Sequence, residues 1–153
     1  MNLKRAVAAG LVGTAVMTFL MLVAPVVGLP RMAIGQLLST VLAVSVAFLP
    51  IGPAAGWALH ALFGVALAII YAAAFVGRLP GKPLARGALY GVLVFVLAQL
   101  LFMPLVGAGV FSRGDVPMIL GSLVGHLVYG GLVGIIYGEP MAAARHYEAP
   151  KPA

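Results

Sequence analysis

Long apolar stretches separated by short polar segments dominate the chain. Four of them have the length of a membrane span, at residues 5–28, 55–76, 86–107 and 116–138. About 20 predominantly apolar residues are needed to cross the hydrocarbon core as a helix. The only charges inside these stretches are Arg5 and Arg86, each at a first position. A fifth apolar stretch, residues 32–50, is also long enough to cross. It is bracketed by Pro30 and Pro50 and carries Gln36, Ser39, Thr40 and Ser45. The opening Met-Asn-Leu-Lys-Arg is like the start of a signal peptide. The apolar run at 6–29 exceeds the roughly 7–15 residues of a signal core, however, and no small-x-small cleavage site follows. It is read as a retained first span.

Composition makes the membrane assignment firm. The chain is 63% hydrophobic and 8% charged, whereas soluble domains carry about 45–50% apolar and about 25% charged residues. With no cysteine, disulfides, iron–sulfur clusters and thiol catalysis are excluded. The net charge of +6 does not point to nucleic acid, because the basic residues are scattered at the ends of apolar runs, with no basic stripe beside stacking aromatics. They read instead as orientation signals.

Loop charge then chooses a topology. If residues 32–50 do not cross and the N-terminus is inside, Lys4, Arg5, Arg78, Lys82, Arg86, Arg145 and Lys151 face the cytoplasm, and only Arg31 and Arg113 face out. A full crossing would move the Arg78/Lys82/Arg86 cluster outside, against the positive-inside rule. The expectation is an all-α bacterial inner-membrane protein of four spans with both termini cytoplasmic. Residues 32–50 form a re-entrant or interfacial helix, and 139–153, with three prolines, a cytoplasmic tail. Five crossings are the alternative.

The second and fourth stretches echo each other. His60-Ala-Leu-Phe-Gly-Val-Ala-Leu-Ala-Ile-Ile-Tyr71 and His126-Leu-Val-Tyr-Gly-Gly-Leu-Val-Gly-Ile-Ile-Tyr137 share His, Gly, Ile-Ile and Tyr at identical spacing. The first and third stretches also match, each ending in Pro-x-x-Gly (Pro25, Gly28; Pro104, Gly107). The chain therefore reads as two helical hairpins in a parallel repeat, related by an axis along the membrane normal. At about 100° per residue, His60, Gly64, Leu67 and Tyr71 share a helix face, as do His126, Gly130, Val133 and Tyr137. These faces are expected to meet at one depth. Thr18 and Gln99 fall near that depth and complete a polar interface with Tyr71 and Tyr137; a His126–Gln99 hydrogen bond is expected.

The string Gly-x-x-Gly-Thr-x-x-Met-Thr-x-x-Met-x-x-Ala-Pro (10–25), followed by Gly28-x-Pro30-x-Met32, resembles a family of small bacterial multi-pass membrane proteins of unknown function. Arg86-Gly-Ala-Leu-Tyr-Gly, Met103-Pro104 and Gly121-Ser-Leu-Val-Gly-His126 resemble it too. The chain departs at Met32-Ala33-Ile34, where members often carry an acidic residue, and its 32–50 segment is longer than usual. The resemblance implies a membrane fold and supplies no activity.

Intramembrane histidines have two readings. As interhelical glue they hydrogen-bond across an interface that glycines allow to close. As axial ligands, His60 and His126 would hold a b-type haem, with glycine making room for the macrocycle. Copper would want Met clusters with His or Cys at close spacing, and no histidine is near Met17 and Met21 in sequence. The acids Asp115, Glu139 and Glu148 all lie at or beyond helix ends, and no nucleophile–base spacing, phosphate loop or metal motif is present. An enzyme is therefore not expected. Glycine-rich faces point to a non-catalytic accessory or assembly subunit of a larger membrane complex, such as a respiratory one, without cofactor, surrounded by lipid and other subunits or further copies of itself. The alternatives are a haem-b electron carrier and a small pore or lipid-interacting protein.

Overall fold

The computed structural model describes residues 1–45 and 52–139. Among these, all regular structure is helical. Four helices are long and apolar enough to cross a membrane: α1 (Leu3–Val27), α3 (Pro53–Phe75), α4 (Pro83–Leu105) and α5 (Val116–Tyr137). Between the first two lies α2 (Ile34–Ser45), of 12 residues. At about 1.5 Å per residue its described part is roughly 18 Å long. Residues 46–50 of the fifth apolar stretch and 140–153 of the expected tail lie outside the described residues.

Local chemistry starts and stops these helices. Asn2 Oδ1 accepts from the Arg5 amide, and Asp115 Oδ1 from the Met118 amide, at 3.1 Å each, satisfying donors that a first turn leaves free. Pro53, Pro83 and Pro117 stand in the first turns of α3, α4 and α5, where a missing N–H is harmless. α1 ends in a tightened turn holding Pro25, closed by Gly28 in the left-handed conformation (φ 81°). Both α3 and α4 carry a π-helical turn, at Tyr71–Phe75 and Ala98–Phe102. Such turns widen a helix locally and recur at functional sites.

Two tight seams build the bundle. In the first hairpin, α1 meets α3 where a methyl group on Gly10 would lie 2.8 Å from Gly64 O and 2.7 Å from Val65 Cα. In the second, α4 meets α5 through four glycines: a methyl on Gly130 would lie 2.6 Å from Gly91 N, and one on Gly87 2.8 Å from Gly134 N. Without a hydrophobic drive between helices in lipid, this close backbone approach is what holds them together. α1 also packs on α5, and α2 on the start of α3, where Trp57 covers Gly35. By contrast, α3 and α4 make almost no close backbone approach to each other.

The glycine-rich faces thus lie inside the chain. Gly10, Gly13, Gly64, Gly87, Gly91, Gly130 and Gly134 all abut other helices of the same molecule. At the end bearing Arg5 and Arg86, Tyr71 packs on Tyr90 and Tyr137, with ring centroids 5.2 and 6.1 Å apart. Arg86 closes that end. It donates to Leu79 O and Gly81 O, at 3.0 and 2.7 Å, and pairs with Glu139 at 3.3 Å.

Candidate functional site

Where α3 and α4 do not close on each other, a space opens between all four spans. It is a cavity of about 350 Å³ within the membrane-spanning segments, and both His60 and His126 line it. Residues of α1 form its back wall, and Met32, Ile34 and Leu38, around the start of α2, close it at the end away from Arg86. Four cavity-lining residues are also markedly exposed on the outer surface: Phe63 (44%), Leu97 (54%), Leu101 (66%) and Leu105 (73%). They mark a lateral mouth between α3 and α4, where Phe63 and Phe102 meet edge to face at 6.5 Å. Among the described residues, no charged side chain lines the cavity.

Each imidazole is held through one nitrogen. His126 Nδ1 lies 2.8 Å from Ser122 O on its own helix, with Ser122 Oγ at 3.4 Å. His60 Nδ1 lies 3.3 Å from Thr18 Oγ1 of α1. Among the described residues neither Nε2 has a hydrogen-bond partner, and neither is sealed in the core. A histidine fixed in this way has its ring direction and second nitrogen set for something else to meet. Aromatic edges support both rings: Trp57 lies 6.0 Å from His60, and Phe95 6.0 Å from His126.

The expected polar interface divides into three parts. Thr18 reaches His60. Tyr71 and Tyr137 meet each other at 6.1 Å, away from the cavity. Gln99 does not bond His126: its Oε1 accepts from Ser112 Oγ at 3.2 Å, and its Nε2 is buried without a partner. Two backbone features redirect it. Gln99 sits in the π turn of α4, and Ser112 is carried inward by a left-handed turn in which Phe111, Ser112 and Arg113 have φ of 44°, 49° and 54°. A run of non-glycine residues in that region is strained and persists only when its surroundings hold it. Here Arg113 donates to Gly107 O at 3.0 Å and Phe111 packs on Phe95 at 6.2 Å.

Three further residues belong to the site. Tyr129 donates to Gly64 O at 2.6 Å and lines the cavity; its place three residues after His126 puts it on the same helix face. Thr14 also lines the cavity, with a buried hydroxyl lacking a partner; its motif was visible in sequence, its neighbour Gly64 was not. Ser122, one turn before His126, supplies the carbonyl that orients it. Met17, Met21, Met32 and Met103 line the same cavity as the two histidines, an association that linear spacing conceals. Among the described residues, no cluster of three or more histidine or carboxylate side chains is placed to hold a metal ion.

No curated protein and no solved structure matches the chain. A family profile does match, over residues 1–147. This four-span membrane chain belongs to that family, DUF6789, a family of unknown function.

Proposed function

We propose that this chain is a non-catalytic, membrane-embedded binding protein that takes a neutral, apolar small molecule from the bilayer. The observation that carries the reading is one cavity lined by two imidazoles, each tethered through Nδ1, with a mouth framed by lipid-exposed Leu97, Leu101 and Leu105. Ligand sites are typically apolar spaces of about 300–1,000 Å³ with a few fixed polar groups. A charged ligand would meet no counter-charge there, and an unpaired charge in hydrocarbon is costly. By the positive-inside rule, the end carrying Lys4, Arg5, Arg78, Lys82 and Arg86 faces the cytoplasm of the inner membrane. The similar seams at Gly10/Gly64 and Gly87/Gly130 support two repeated hairpins related about an axis through the cavity. Service as an accessory subunit of a larger complex fits a binding protein too. The glycines that motivate it pack within the chain, so its partner surface would be the outward apolar side chains.

The free Nε2 atoms favour one second reading, a b-type haem held by His60 and His126. Its imidazole chemistry fits. Its two propionates do not, because no Lys or Arg lines the cavity. A neutral ligand is the better match.

Native mass spectrometry of the chain released from its own membranes tests the proposal. A bound small molecule is expected on the wild type and not on Ala98→Phe, which fills the cavity, with helicity and melting temperature retained. A wild type without adduct, or the same adduct on the filled variant, overturns it. An absorption spectrum of the same sample decides the second reading: a reduced-minus-oxidised cytochrome band supports haem, and a colourless protein excludes it.

A further inference from the structure

The hydrogen-bonding pattern of the two histidines specifies more than a neutral ligand. This step rests on the binding reading above. Ser122 O can only accept, so the His126 Nδ1 at 2.8 Å carries the hydrogen of that bond. In the neutral ring, Nε2 is then a lone-pair acceptor with no N–H of its own. Among the described residues no donor meets it. A ligand satisfies it only by bringing an O–H or N–H; a ketone oxygen or an ether placed there would set acceptor against acceptor.

His60 differs. Its Nδ1 faces Thr18 Oγ1 at 3.3 Å, and a hydroxyl can donate or accept. Either tautomer is therefore allowed, and His60 Nε2 can adapt to a donor or an acceptor. The cavity thus offers one fixed acceptor on α5 and one adaptable pole on α3. Between them stand aromatic walls, with Phe63, Phe102 and Tyr129 all lining the space. Flat rings pack well against aromatic edges and faces. Beyond them the leucines of the mouth open onto lipid.

We propose that the ligand is a para-hydroquinone with an apolar tail, bound in its reduced form. One hydroxyl donates to His126 Nε2, the opposite one meets His60 Nε2, the ring lies among the aromatic side chains, and the tail leaves between α3 and α4. The assignment concerns binding and redox-state preference; no electron transfer is part of it.

Trp57, the chain's single tryptophan, lies 6.0 Å from the His60 ring, so its fluorescence reports occupancy. The protein in lipid nanodiscs is titrated anaerobically with a para-benzoquinol bearing an alkyl chain, kept reduced by dithionite. Its mono-methyl ether and its dimethyl ether are titrated in parallel, and the oxidised quinone in the same way without dithionite. Removing the donor to a buried acceptor is expected to weaken the dimethyl ether and the quinone by about tenfold or more relative to the quinol, whereas the mono-ether, whose ether oxygen can accept from His60 Nε2–H, should bind close to the quinol. His126→Leu is expected to abolish the preference for quinol over dimethyl ether. Should that variant fail to fold, the ligand series on wild type decides alone. A dimethyl ether or quinone that binds as tightly as the quinol overturns the proposal. So does a mono-ether as weak as the dimethyl ether, because its remaining hydroxyl would then not be meeting a fixed acceptor. If no member of the series binds while the native-mass adduct persists, the hydroquinone is excluded and the binding reading stands. Loss of the adduct as well removes both.

Discussion

The two hairpins solve the same packing problem with different materials. In the first, α1 and α3 close through Gly10 and Gly64; Gly10 meets the backbone of Gly64 and Val65, but the tightest obstacle, at Gly64, is a side chain, Thr14. In the second, α4 and α5 close through Gly87, Gly91, Gly130 and Gly134, so every obstacle is backbone. The histidines follow suit. His60 is steadied by a hydroxyl from the neighbouring helix, and His126 by a carbonyl of its own. The second hairpin is the rigid half, with a histidine of fixed polarity, and the first is the adaptable half. A cavity placed between them has one wall that defines its ligand and one that accommodates it.

The largest expected effect breaks this contrast at the seams. Gly130→Ala would push a methyl group to 2.6 Å from Gly91 N and 2.7 Å from Gly91 Cα. Overpacking costs about 1–3 kcal/mol, and with only backbone to displace, the upper part of that range is expected. Gly64→Ala meets Thr14 Cβ at 2.9 Å, so the second change Thr14→Gly should restore most of its loss. Thermal or detergent-titration unfolding of the single and double variants checks both. Rescue of Gly130→Ala by trimming a side chain, or failure of Thr14→Gly to rescue Gly64→Ala, would remove the distinction between the seams.

A smaller effect concerns how the halves are joined. Tyr129 of α5 donates to Gly64 O at 2.6 Å, and Tyr90 of α4 to Leu67 O at 2.8 Å. Both bonds run from the second hairpin onto α3. Each tyrosine-to-phenylalanine change should cost about 0.6–1 kcal/mol, the range for hydrogen bonds between membrane helices and in proteins generally. Because Tyr129 also lines the cavity and Tyr90 does not, only Tyr129→Phe should alter ligand affinity. Equal loss of affinity in both variants would show that inter-hairpin geometry, rather than the cavity wall, controls binding.

The spans were legible in the sequence because hydropathy over 20 residues is a strong signal. The paired elements were legible through spacing: Tyr71 and Tyr137 do meet, and His60 and His126 share a cavity. What each residue touches was less so. Counting along ideal helices put Gln99 beside His126. The π turn at Ala98–Phe102 and the left-handed turn holding Ser112 send it elsewhere, and neither backbone feature leaves a mark on hydropathy. The glycines read as surfaces for foreign helices, because composition reveals close packing without saying to whom. Thr14 and Tyr129 went unassigned because their shared neighbour, Gly64, lies about fifty or more residues away in sequence.

The finest effect leaves stability nearly unchanged and reads the histidines directly. In neutral imidazole, the nitrogen bearing hydrogen and the bare one have well-separated ¹⁵N resonances. His126, donating from Nδ1 to Ser122 O, should show a single tautomer with the hydrogen on Nδ1. His60, facing a hydroxyl able to play either part, should show both tautomers. Thr18→Val removes that hydroxyl and should shift the His60 populations while leaving His126 untouched. A change at His126 would mean that the two rings are coupled through the cavity rather than held separately by their own hairpins. A single tautomer at His60 in the wild type would make both poles fixed, and the adaptable wall would then have to lie in the ligand instead of in the protein.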